Sequence, residues 1–400
     1  MLGRGIAPLL CFFLGTLGWA ADWPQWRGPN RDGISAETGL LDVWPKGGPP
    51  LVWKIEGLGE GYSSAAIANG RLFIQGQHGD EEYVLAFDAN TGKQLWRAHT
   101  GVPFKESRGH GPRGTPTVDG DRLYALAADG MLVCLDAATG KRIWGFNIVD
   151  HFHGQMPHWG ISESPLVDGD RVIVTPGGPG AAVVALDKTT GKPLWQSQSD
   201  SAGYSSPMLY GAEGSRSVVV FTADAAMGLD LASGKLHWRY ARVANGTANI
   251  ATPIVHGGEI FLSSDYGTGC VLLKAGSNDA AELYFNRDMQ NHYSTSVLVG
   301  DYLYGFSASI LTAMKFETGE VAWRDRSVGK GSLIYADRHL YALGEDGVVG
   351  LVDATPAAYR EISRFEIQKG GFPTWSQPVI ANGKLYLRDQ DNLFCYNVKK

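Results

Sequence analysis

Asp88-Ala-Asn-Thr-Gly-Lys-Gln-Leu-Trp96 returns as Asp136-Ala-Ala-Thr-Gly-Lys-Arg-Ile-Trp144, Asp187-Lys-Thr-Thr-Gly-Lys-Pro-Leu-Trp195 and Asp230-Leu-Ala-Ser-Gly-Lys-Leu-His-Trp238. A weaker copy runs from Lys315 through Gly319 to Trp323, and degenerate copies lie near Lys274, Asp353 and Asn397. Successive copies stand 48, 51, 43, 44, 41, 38 and 44 residues apart. A period of about 40–45 residues with four strands per unit is the sequence signature of a propeller. The chain therefore reads as all-β: an eight-bladed β-propeller with four-stranded antiparallel blades. The count falls to seven if the copies near 274 or 353 are not full blades.

Each unit divides into four strands. An apolar run such as Pro165-Leu166-Val167 enters a tight turn at Asp168-Gly169, and Asn69-Gly70, Asp119-Gly120, Gly257-Gly258 and Asn382-Gly383 stand at equivalent points. Asn-Gly and Asp-Gly suit turns that need positive φ, so they join strands one and two as hairpins. Strand two follows, as in Arg122 to Leu126, and strand three is the apolar run Met131 to Leu135. The Asp-x-x-Thr-Gly segment is a second tight turn, in which the carboxylate accepts backbone N–H bonds and glycine takes the left-handed position. Strand four ends on tryptophan. Trp53, Trp96, Trp144, Trp195, Trp238 and Trp323 are half of the chain's 12 tryptophans. At a fixed position on each outer strand, such a ring wedges against the neighbouring blade, a structural role. The last unit, Pro378 to Lys400, supplies three strands, and Leu51-Val-Trp-Lys-Ile-Glu56 resembles a fourth without its three predecessors. This N-terminal strand is expected to complete the last blade and close the ring, which removes a free sheet edge.

The composition agrees. Of 400 residues, 44% are hydrophobic and 19% charged, with 53 glycines and 11% aromatics, as many short strands with glycine turns require. A net charge of −6 argues against nonspecific binding to nucleic acid or anionic membrane. Arg4, the apolar run Ile6 to Leu17 and the small-residue site Gly18-Trp19-Ala20 read as a signal peptide over 1–20, which predicts a periplasmic or secreted protein. Cys11 follows Pro8-Leu9-Leu10 rather than small residues, so no lipid anchor is expected, and no later run is long enough to span a bilayer. Cys134, Cys270 and Cys395 form neither a disulfide framework nor a zinc motif and read as small buried apolar residues. Residues 21–50, with two Trp and two Pro in Asp22-Trp-Pro-Gln-Trp-Arg-Gly-Pro-Asn-Arg-Asp-Gly33, are expected to be an ordered strap over the propeller domain of 51–400.

The links from an outer strand to the next inner strand vary in length and converge on the axis, where binding residues of a rigid scaffold sit. They carry Gly59-Glu60-Gly61-Tyr62-Ser63, Arg108-Gly-His110-Gly-Pro-Arg113, Asp150-His151-Phe-His153, His158-Trp159-Gly160, Ser162-Glu163-Ser164, Gly203-Tyr204-Ser205, Asn245 to Asn249, Asn291-His292-Tyr293 and Phe372-Pro-Thr-Trp375. No spacing among the histidines marks a metal site. Glu163 is the one acid at a repeat position held elsewhere by Gly114, Ser205, Ala251 and Ser294. It is a candidate cation ligand or base, or else an ion-pair partner of Arg113. Trp159 and Trp375 fall outside the wedging position and are candidates for stacking on a flat ligand. Tyr62 and Tyr204 are expected to line the channel.

The phrase Ala86-x-Asp88-x-x-x-Gly92-Lys-x-x-Trp96 resembles the tryptophan-docking repeat of the pyrroloquinoline-quinone (PQQ) repeat superfamily, and the resemblance covers about residues 51–400. That superfamily holds periplasmic quinoprotein dehydrogenases, which bind PQQ and calcium or a lanthanide at the axis. It also holds BamB-like lipoproteins, non-enzymatic eight-bladed propellers that help to fold outer-membrane barrels. The chain lacks the adjacent cysteines of the dehydrogenases and any extended match to their cation-ligand or catalytic-Asp motifs, so no catalytic residue carries over. The resemblance implies a periplasmic scaffold or binding protein, a monomer whose partners are envelope proteins. The alternative is a small PQQ-dependent oxidoreductase acting on alcohols or sugars. PQQ and Ca2+ would then sit with Glu163 and Asn249 as oxygen ligands, Trp159 or Trp375 stacked and Arg113 on a carboxylate, with Tyr204 and His292 in the same pocket. A third reading is recognition of extracellular glycans through exposed aromatics.

Overall fold

Eight copies of the repeat predict eight blades, and eight sheets form. The computed structural model describes residues 22–212 and 215–400; the expected signal peptide over 1–20 lies outside them. The first blade comprises Ala66–Ala68, Arg71–His78, Glu81–Asp88 and Gln94–Gly101, paired antiparallel in chain order. Six more follow in the same order, opening at Thr117, Leu166, Met208, Ile254, Val297 and Gly331. The copies near 274 and 353 are full four-stranded blades, the fifth and seventh. The eighth takes Val379–Ala381, Lys384–Asp389 and Asn392–Asn397 from the end of the chain and Leu51–Ile55 from its start, with Leu51 opposite Tyr396 and Ile55 opposite Leu393. The N-terminal strand thus closes the ring. Among the described residues the one α-helix is a single turn, Ile148–His151, capped by Asn147. Among the described residues no helix is long and apolar enough to cross a membrane.

The repeat's turn works as its residues dictate. The Asp88 carboxylate accepts from the backbone of Asn90 and Thr91 and from the Thr91 hydroxyl, at 2.8–3.0 Å. Asp136 and Asp187 repeat this set, and Asp230 accepts from the backbone and hydroxyl of Ser233. In the second blade Gly140 sits at φ +71–72°, as Gly92 does, and a Cβ on Gly140 would lie 2.6 Å from the ring of Trp96 in the preceding blade. Glycine is needed there twice over, for its left-handed backbone and for the close approach of the indole. The indole N–H groups of Trp96, Trp144, Trp195 and Trp323 donate to the carbonyls of Ala137, Lys188, Leu231 and Thr355, each in the next blade, at 2.8–3.3 Å. Two of the six depart: Trp238 donates to Tyr210 of its own blade, and Trp53 Nε1 has no partner. In the fifth blade Tyr284 takes the tryptophan position and donates to Phe316 O in the sixth.

In every blade the ladder between strands three and four slips by one residue just before that position. The bulged residue turns outward, which explains why Val52, Leu95, Ile143, Leu194 and Leu283 are large, apolar and exposed.

Residues 22–37 thread the centre of the ring. Trp23 pairs with Ile67 of the first blade, and Pro24 O accepts from Val118 of the second. Arg31 reaches Ser164 and Pro165 at the third, Trp26 reaches Thr252 at the fifth and Arg27 reaches Thr295 and Ser296 at the sixth. Ile34–Ser35 then pairs in parallel with Tyr335 and Ala336 of the seventh, and Ser35 donates to Ile380 of the eighth. The segment therefore contacts the inner strands, or the residues leading into them, in seven of eight blades. Beyond it Trp44 packs edge-on against Phe365, 5.3 Å between ring centres, before the chain reaches its outer strand at Leu51.

Candidate functional site

The links that the alternating topology gathers at one end of the axis enclose a cavity of about 440 Å³, within the range of about 300–1,000 Å³ usual for small-molecule sites. Its walls come from the links entering the first to fourth blades (Tyr62, Arg113, Trp159, Tyr204) and the fifth to eighth (Ile250, His292, Lys330, Trp375). Trp26 of the threaded segment also lines it, held by its indole N–H on Thr252 Oγ1 at 2.9 Å. Of the candidates read from the sequence, Arg113, Trp159, Tyr204, His292 and Trp375 meet in this cavity; Glu163 and Asn249 do not line it.

Glu163 lies in the extended link that leads into the strand Leu166–Asp168. Ser162 and Ser164 face the cavity, and Glu163 between them points the other way. Its carboxyl is buried: Oε1 accepts from Thr175 N at 2.6 Å and Oε2 has no partner. Burial pushes it up to about 7, against the pull of the Arg31 charge. Arg31 is itself lowered to about 9 by burial, with Glu163 its opposing charge, and its Nε is also unpartnered. Arg113 pairs instead with Glu106 at 3.2 Å and with the carbonyls of Gly109 and Gly111, so the alternative of a Glu163–Arg113 pair gives way to Arg113–Glu106, while Glu163 acts on Arg31 through its charge without a direct hydrogen bond. Asn249 is a brace. Its amide donates to Thr222 O and Ala223 O, and its Oδ1 accepts from Asn245 N and Ser264 Oγ.

The rings form a connected wall. Trp375 lies 5.0 Å from Tyr62, tilted against it, and 5.5 Å from Tyr293, stacked on it, and its indole N–H donates to Glu345 at 2.5 Å. Trp159 tilts against Tyr204 at 5.6 Å. His292 meets Tyr266 Oη through Nε2 at 3.0 Å; burial and the Lys330 charge lower it to about 4, so the ring is neutral. Burial raises Tyr62 to about 12 and Tyr293 well above its usual value, so both keep their O–H. Sequence reasoning had not singled out Arg108, Tyr266, Tyr293, Lys330 or Trp26. Arg108 and Tyr293 lie inside links that hold other candidates, whereas Tyr266 and Lys330 come from connections with no motif, and Trp26 from the threaded N-terminal segment.

No Asp or Glu lines this cavity, and among the described residues no three His, Cys, Asp or Glu side chains gather as a metal-binding group. Calcium takes six to eight oxygens, with carboxylates prominent among them. The two oxygen ligands proposed from sequence are turned away or saturated. The donor set therefore does not fit a hard cation beside a quinone, and no chemical step is derived through PQQ.

Ring, repeat and axial mouth together define a PQQ-repeat propeller. The chain belongs to the family described as outer membrane protein assembly factor BamB, whose model matches residues 80–325. It is 25% identical over 326 residues to BamB of Burkholderia pseudomallei, covering 68% of this chain and 80% of that protein. It is 33% identical over 126 residues to quinohemoprotein alcohol dehydrogenase ADH IIB of Pseudomonas putida, spanning 28% of this chain and only 17% of that enzyme's length. Among solved structures, BamB of Moraxella catarrhalis superposes with a TM-score of 0.65 at 18% identity, covering 87% of this chain and 97% of that one. A europium-containing methanol dehydrogenase does so at 0.69 and 12%, covering 92% and 89%. At these identities the structural matches establish the fold alone.

Proposed function

We propose that this chain is an exported binding propeller of the periplasm, a monomeric scaffold in the manner of BamB, whose axial cavity holds its ligand or a segment of an envelope partner. One observation carries the reading: a cavity on the axis, walled by rings and hydroxyls, with cations and no carboxylate among its lining residues. The similarity to BamB along two thirds of the chain supports the same class. The similarity to quinoprotein dehydrogenases favours the second reading, a PQQ-dependent oxidoreductase on alcohols or sugars, but it spans a small part of those enzymes. The test is reconstitution of the purified chain with PQQ and calcium, followed by an alcohol and sugar screen with an artificial electron acceptor. The expected result is no turnover above the protein-free control. Turnover that saturates with PQQ at one equivalent would replace the binding reading with the enzymatic one.

A further inference from the structure

The polar groups of the axial cavity are unequal in kind. Ser164 Oγ already accepts from Thr115 N, Ser206 Oγ from Ser164 N and Thr252 Oγ1 from Trp26 Nε1, so each hydroxyl has one of its two lone pairs engaged by the protein and retains an O–H to donate. Tyr293 Oη is buried and has no partner. A buried donor without an acceptor is destabilising, and a ligand acceptor removes that penalty. Arg108 stands exposed at the mouth, and its guanidinium forms no hydrogen bond or ion pair among the described residues. Lys330 lines the same wall, 3.3 Å from Glu345. The site offers donors and positive charge, and it lacks a lining carboxylate to repel an anion.

The rings decide between classes of anion. Trp375 has Tyr293 stacked on it and Tyr62 tilted against it, so it is not a free platform for a second flat π-system. Trp159 and Tyr204 meet at 51°, a corner rather than a parallel slot. Tilted rings with hydroxyl donors between them suit a puckered ring that presents C–H groups to the aromatic faces and oxygens to the donors. We propose that the axial cavity binds an acidic sugar, a hexuronate unit of an acidic saccharide. Its carboxylate meets Arg108 and Lys330, and its ring oxygens accept from Tyr293 and the Ser164–Ser206–Thr252 hydroxyls. This rests on the binding reading above and names the ligand class within it.

Calorimetric titration of the full chain at low salt tests it with three probes: trigalacturonate, the neutral galactose trisaccharide, and naphthalene-2,6-dicarboxylate as a flat aromatic dianion. Trigalacturonate is expected to bind saturably at one site and at least tenfold more tightly than the neutral sugar. Arg108→Gln, at an exposed position, is expected to weaken it about tenfold, the factor equivalent to 1.4 kcal/mol of charge-assisted bonding. Tyr293→Phe, which keeps the ring and removes the donor, is expected to weaken it severalfold. Equal affinity for acidic and neutral sugars overturns the proposal, and so does binding of the dicarboxylate alone, which leaves the cavity as a site for another class. Silence from all three probes also overturns it. Only PQQ-dependent turnover, measured separately, removes the binding reading itself.

Discussion

Glu163 shows what a single residue's surroundings do to its meaning. As the only acid at its repeat position it looked like a ligand for a cation. In the fold it is the opposing charge to Arg31, which is fully buried and reaches the propeller through Ser164 O and Pro165 O. A carboxyl raised to about 7 when folded holds a proton that the unfolded chain releases near its ordinary 4.5. The folded state therefore binds more protons between those values, and its stability falls as pH rises through that window. Glu82, raised to about 8 by burial, acts in the same direction. Calorimetric melting between pH 5 and 8.5 should show the wild type losing stability with rising pH. Glu163→Gln should flatten the slope by up to about 3 kcal/mol, at 1.36 kcal/mol per pKa unit. An unchanged slope in the variant would place the titration elsewhere.

At the scale of the element, the repeating device is an indole on a bulged outer strand, set over the glycine of the next blade's Asp-x-x-Thr-Gly turn. Trp195 illustrates it: its N–H donates to Leu231 O at 3.0 Å, and a Cβ on Gly234 would lie 2.5 Å from its ring. Trp195→Ala leaves a void between the third and fourth blades, and urea unfolding should report a loss of about 3–5 kcal/mol. A loss below about 1 kcal/mol would show that the ring is dispensable to the blade interface. The turn and the tryptophan were legible because both are local. The bulge was not, because a one-residue slip depends on the partner strand. Nor does the sequence indicate that Tyr284 stands in for tryptophan in the fifth blade, where the Asp-x-x-Thr-Gly-Lys phrase is eroded.

For the whole molecule, the closure by Leu51–Ile55 could be foreseen from a strand without predecessors at one end and a blade without its last strand at the other. The cavity was legible in outline, since topology alone sends the links of successive blades to the axis. Its base was not. The strap expected over the ring threads its centre, and nothing local in Trp23 to Gly33 specifies the Arg27 and Arg31 contacts with blades about 130 and 270 residues away. The facing of Ser162 and Ser164, with Glu163 turned away, likewise needed the fold's own frame.

Hydrogen–deuterium exchange of the purified chain, with and without a small-molecule extract of bacterial envelopes, tests most directly whether the axial mouth is where this propeller binds. The account predicts new protection confined to the axial links around Arg108, Trp159, Tyr204, Ile250, His292 and Trp375, with the outer strands unchanged. Protection restricted to the outer strands, with those links exchanging as before, would contradict it and move the binding surface to the rim.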